Sequence, residues 1–332
     1  MFAWVSNPIN LLLFCWEAGN IVRILASASL SAMLRGRIMA ISSAAASRNP
    51  RLGILLMVAT VATFAAQDGF SRALAGEYNT LMVVMIRYWA FAGFVILLAL
   101  RRPEGARAAI RSTRLPAHLL RGALLVAEIC LIIWGYTLIG LIESHAIFAI
   151  CPLLVVALSG PVLGEHLSWQ RWAAVAAGMV GVLVILRPGL GVFSWAALLP
   201  LSSALLFALY SVLTRLTTRS EPTFPALFWP AVIGAALTTA IGLPNLEPVR
   251  PEHLAPLAIY SSLSILSHWL LLKCYEQIEA SRVQPYAYLQ IVFVTLVGLT
   301  VFGEHLSLPV AIGTAIIVGA GLYALAQERH GR

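Results

Sequence analysis

Ten apolar runs, each about 20 residues long, set the first constraint on this chain. They occupy 52–74, 79–100, 118–138, 144–162, 169–187, 193–213, 223–243, 255–275, 282–302 and 308–326. A run of that length, coiled as an α-helix, matches the hydrocarbon thickness of a bilayer. Strands that cross membranes alternate apolar and polar residues, and these runs do not. The reading is an all-α integral membrane protein with ten transmembrane helices. Composition agrees. The 332 residues are 60% hydrophobic and 11% charged, whereas soluble domains carry about 25% charged residues.

The net charge is +8, yet only one of the 22 basic residues is a lysine, Lys273. The arginines sit in short connections between apolar runs, which signals membrane orientation and argues against a nucleic-acid partner. With the residues before the first run on the cytoplasmic side, fifteen basic residues fall inside. Three fall outside: Arg72, Arg187 and Arg250. Both termini are then cytoplasmic, and residues 101–121, with six arginines, form the firmest anchor. Residues 1–50 fit no span. Ile9 to Trp16 is too short to cross, and 20–48 is rich in Ser, Ala and Arg. Either translation starts at Met39, or the segment is an Arg- and Ser-rich targeting sequence. Cys15, Cys130, Cys151 and Cys274 lie in apolar stretches without metal-ligand spacing and read as small fillers.

The pentapeptide GEHLS occurs twice, at 164–168 and at 303–307. Gly164 and Gly303 permit a sharp helix exit. Ser168 and Ser307 are candidate N-caps of the helices that follow, which would set Glu165 and Glu304 near those helices' positive ends. Five helices separate the copies, so they fall on opposite sides of the membrane. Residues 51–188 and 189–327 are thus expected to be inverted five-helix repeats, with a cytoplasmic tail at 328–332. Many secondary transporters are built this way.

Several residues carry a resemblance. They are Arg87 in the second run, Pro152 followed by Gly164-Glu165, and the Gly178/Gly181 helix. In the second half they are Tyr288-Leu289-Gln290 and Gly303-Glu304. Over about 52–326 the chain resembles the EamA-type drug/metabolite transporter superfamily. It departs where that family has a proline and this chain has Ile291, so a kink in the ninth helix falls to Pro285. The stretch AAQDGFSRAL in the first run is similar to bacterial members that take up riboflavin or S-adenosylmethionine. The resemblance implies alternating-access transport of a small organic metabolite across the bacterial inner membrane, with a riboflavin-like or other aromatic or nucleoside compound favoured. It implies no cofactor, and a monomer or homodimer among membrane lipids. Export of amino acids or drug-like compounds is the alternative. A channel or a non-transporting interaction protein is the alternative of another class.

Ionisable groups inside a bilayer cost roughly 2.5–3.5 kcal/mol each by insertion scales, so they need a partner or a task. Asp68 (the only aspartate), Arg87 and Glu128 stand out. At ~1.5 Å per residue they share a depth band. They define a polar site in which Arg87 meets a carboxylate or an anionic ligand group, or else an Arg87–Asp68 pair locks two helices. His268, Gln284, Tyr288 and Gln290 add polar groups from the second half. Tyr136 and Tyr210 add aromatic walls suited to a planar ligand. Glu128, Asp68 and His268 are the candidate proton carriers. The spacings Ala174/Gly178, Ala177/Gly181 and Ala311/Ala315/Gly319 suit close helix packing. There is no GxxxxGK[ST] phosphate loop, HExxH or GxSxG motif, so neither ATP-driven nor enzymatic chemistry is expected.

Overall fold

The computed structural model describes residues 49–103, 105–164, 169–186, 195–278, 283 and 286–330. Residues 1–48, Glu165, Ser168, Gln284 and Pro285 lie outside the described residues, as does what was expected of them.

Every regular element among the described residues is helical. The elements are α1 (Pro50–Glu77), α2 (Thr80–Leu100), α3 (Leu115–Ile139), α4 (Leu141–Phe148), α5 (Cys151–Leu163) and α6 (Trp169–Leu186). They continue with α7 (Leu198–Thr218), α8 (Thr223–Gly242), α9 (Pro251–Gln277), α10 (Leu289–Val301) and α11 (Leu308–His330). Among the described residues, seven helical segments are long and apolar enough to cross a membrane, counting α4 and α5 together as Leu141–Leu163. Trp172–Leu186, Leu289–Val301 and Leu308–Tyr323 are apolar but shorter.

Local chemistry sets the ends. Asn49 caps α1 by accepting from the N–H groups of Arg51 and Leu52, and Pro50 occupies the first helical position, where its missing N–H costs nothing. Asn79 caps α2 through the N–H of Leu81. The fourth apolar run divides into α4 and α5 at Ala149–Ile150. Pro152, at the second position of α5, has no N–H to continue the ladder from α4.

Helices pair mainly across the two halves of the sequence: α1 with α9, α2 with α8, α3 with α7 and α6 with α11. The α6–α11 crossing depends on glycine. A Cβ on Gly181 would stand 2.7 Å from the Gly313 carbonyl oxygen, and one on Gly313 would stand 2.5 Å from that of Gly181. The stripe expected on the last helix, Ala311/Ala315/Gly319, is offset from this contact. Gly319 faces open space, while Gly313, Ile317 and Ala320 form the buried face. Arg121 and Arg215, counted above among connection charges, are instead buried at 0% and 1% exposure.

Candidate functional site

A cavity of about 460 Å³ opens among α1, α2, α3, α4, α7, α9 and α10. Helical spacing aims the side chains. Phe64, Gln67, Asp68 and Ser71 fall at i, i+3, i+4 and i+7 on one face of α1, and Glu128, Ile132 and Tyr136 form a stripe on α3. Arg87, His145, Phe148, Phe207, His268 and Gln290 close the walls. A second cavity of about 510 Å³ lies toward the Pro50 end of α1, against Met57, Thr60, Pro152, Tyr275 and Tyr288. The two share Phe64, His145, Phe148, Phe207 and Gln290. Phe207 touches Phe64 and Phe148 at ring-centroid distances of 6.0 and 5.8 Å. An aromatic wall thus stands between two chambers stacked along the bundle.

The first chamber holds its charges apart. Arg87, 1% exposed, donates from Nε to Ser264 Oγ at 2.5 Å, and its Nη1 lies 3.5 Å from the Tyr260 hydroxyl. Its Nη2 is buried with no hydrogen-bond partner among the described residues. Arg87 and Asp68 line one cavity but form no pair. Asp68 Oδ2 lies 3.1 Å from His145 Nε2 and accepts from Gln290 Nε2 at 3.3 Å. The Tyr136 hydroxyl lies 2.8 Å from the same His145 nitrogen. Glu128 accepts from Ser203 Oγ at 3.0 Å. His268 Nδ1 sits 2.9 Å from the Ser264 carbonyl oxygen. A carbonyl only accepts, so Nδ1 carries the proton. The buried Nε2, without a partner among the described residues, is left as an acceptor.

Asp68, Arg87, Glu128, Tyr136, His268 and Gln290 therefore line the first cavity. Tyr288 lines the second, with its hydroxyl buried and without a partner among the described residues. Tyr210 packs behind the wall, against Phe207 and His268, with the Arg121 guanidinium over its ring. Sequence reasoning missed His145, the partner of both Asp68 and Tyr136. Its signal was present: like His268, it is a titratable side chain within an apolar run. The hydroxyls of Ser203, Tyr260 and Ser264 gave no signal, because serine and tyrosine are ordinary in such runs.

The repeated corner differs from its expected role. Gly164 and Gly303 do take the left-handed conformation, at φ +68° and +62°. Glu304, however, does not serve the helix that follows it. Its carboxylate accepts from the N–H groups of Leu141 and Ile142 at 2.8 and 2.7 Å, and pairs with Arg72. The residue preceding α4 is Gly140, which has no side chain to cap those N–H groups. A remote carboxylate does so instead, and ties α1, α4 and the end of α10 together.

A bundle of membrane-spanning helices, with a polar chamber inside it, belongs to the class of multi-pass solute transporters. Residues 51–187 match the EamA-like transporter family, and residues 194–325 match it again; the chain belongs to that family. It is a membrane transporter of a small metabolite, and the family is not one of enzymes. The S-adenosylmethionine uptake transporter of Rickettsia prowazekii is 24% identical over 277 residues, covering 83% of this chain and 93% of the relative. The riboflavin transporter of Brucella anthropi is 28% identical over 279 residues, covering 82% and 98%. A protein crystal structure at 20% identity superposes with a TM-score of 0.62, over 85% of this chain and 98% of its own, and shares the fold.

Proposed function

We propose that the chain is a secondary transporter of a heteroaromatic metabolite, of the riboflavin or S-adenosylmethionine kind, working by alternating access in a bacterial inner membrane. Residues 51–188 and 189–327 are its inverted repeats of five helices each. Residues 1–50 and 328–332 stand outside them, and both termini face the cytoplasm. The observation that carries this reading is the buried Arg87 Nη2, without a partner among the described residues, on the wall of a chamber that also holds Asp68 and Glu128. A guanidinium kept from carboxylates in a bundle interior is expensive unless a ligand supplies its acceptor. Two chambers stacked on either side of one aromatic wall suit a substrate that is passed from one face to the other. The flat Phe64, Phe148 and Phe207 rings suit its ring system. Tyr136, His268 and Gln290 contribute hydrogen bonds in the first chamber, and Tyr288 in the second. Tyr210 supports the wall from behind.

Counterflow in proteoliposomes tests this reading. Vesicles preloaded with unlabelled S-adenosylmethionine or riboflavin should accumulate the labelled compound saturably. Arg87→Ala should reduce the rate at least about tenfold, the loss of one charge-assisted hydrogen bond. Non-saturable flux in the wild type would mean a channel, and an Arg87→Ala protein that exchanges normally would move the site elsewhere.

A further inference from the structure

Outside the transport chambers, a groove of about 930 Å³ runs along the bundle surface between α2, α8 and α9. Its long walls are apolar: Phe94 and Leu98 from α2, Leu227 from α8, Leu266 and Trp269 from α9. Phe94, Leu266 and Trp269 are 44%, 44% and 43% exposed. Both cations of the lining, Arg102 and Lys273, stand at one end. From Ser262 to Lys273 the groove follows twelve residues of α9, a rise of about 16 Å at 1.5 Å per residue step. That is close to the depth of one leaflet, about 15 Å of a hydrocarbon core roughly 30 Å thick.

We propose that this groove holds one anionic phospholipid, with its phosphate at Arg102 and Lys273 and an acyl chain along Phe94, Leu98, Leu266 and Trp269. Length and polarity both fit: one leaflet of apolar wall ends in two cations. Two cationic side chains at the same end favour an anionic headgroup. Glu276 accepts from Lys273 Nζ at 3.0 Å. A lysine ammonium has three donors, so that contact leaves capacity for a phosphate. The Arg102 guanidinium lies over the Phe224 ring, 4.5 Å from its centroid, which fixes its plane at the groove's foot. The same end of α2 leads into the arginine-rich connection 101–114, where the exposed Arg107 and Arg111 add positive potential. Basic pockets between membrane helices attract anionic headgroups in this way.

The test uses the purified full chain, stripped of lipid in a neutral detergent. Dioleoyl phosphatidylglycerol should raise Tm more than dioleoyl phosphatidylcholine, which has identical chains and no net charge. That difference should vanish in the Arg102→Gln/Lys273→Gln protein and persist in Arg107→Gln/Arg111→Gln, which changes charge beside the groove. Leu266→Trp, which narrows the groove and leaves both cations in place, should also remove it, and serves where the double variant does not fold. Equal shifts from both lipids in the wild type overturn the proposal. So does a difference that survives in Leu266→Trp, or a shift reproduced by glycerol phosphate without acyl chains.

Discussion

Glu304 was picked out because it is repeated, and its work turned out to be remote. Its carboxylate satisfies two N–H groups at the start of α4 and neutralises Arg72. Glu304→Gln keeps the size but loses the charge, and presents an amide donor where acceptors are needed. Leaving such buried donors unsatisfied costs about 1–3 kcal/mol, so the Tm of Glu304→Gln in detergent should fall, while Glu304→Asp tests reach alone. A second acidic residue acts at the opposite end of the helices. Glu221, between α7 and α8, accepts from Thr113 N and Oγ1 (both 2.7 Å), Ser112 Oγ (2.8 Å) and His118 Nε2 (3.0 Å). Burial pushes its carboxyl up, but the donors outweigh burial and hold it down at about 2, against an ordinary 4.5. A carboxyl depressed in the folded state contributes stability above the unfolded value, and that stability is lost as pH falls from about 4.5 toward 2. Thermal unfolding followed from pH 6 to 2 should show this loss in the wild type and a flatter profile in Glu221→Gln.

At the scale of elements, helix crossings depend on which glycine lies at the contact. Replacing glycine by alanine inside a helix ordinarily stabilises it by about 1 kcal/mol. Gly319→Ala, with open space around its Cβ position, should follow that rule. Gly313→Ala should do the reverse, because its new Cβ meets the Gly181 carbonyl oxygen and the Ile185 side chain at 2.5 Å. Opposite signs in the melting temperatures of the two variants check the α6–α11 crossing. Spacing alone marked a small-residue stripe on α11 but not the members that meet α6. Three-apart and four-apart patterns say that a face is smooth, not which face meets a neighbour. The break between α4 and α5 was more legible, since Pro152 cannot continue a hydrogen-bond ladder whatever surrounds it.

For the whole molecule, the relation between charge and movement decides what kind of transporter this is. Glu128 lines the first chamber and bonds to the neutral Ser203 rather than to a cation. If proton coupling runs through it, Glu128→Gln should retain counterflow exchange and lose accumulation driven by a pH gradient. Unchanged gradient-driven uptake would remove Glu128 from that role. The sequence by itself determined the membrane class, because apolar runs of that length have no other solvent to face. It also marked Asp68, Arg87 and Glu128, because an ionised group is conspicuous in hydrocarbon. Only the tertiary structure decided their partners: Asp68 with His145, Arg87 with Ser264, Glu128 with Ser203. Those pairs join helices far apart in the chain, and periodicity reports which way a side chain leans on its own helix, not which helix comes to meet it.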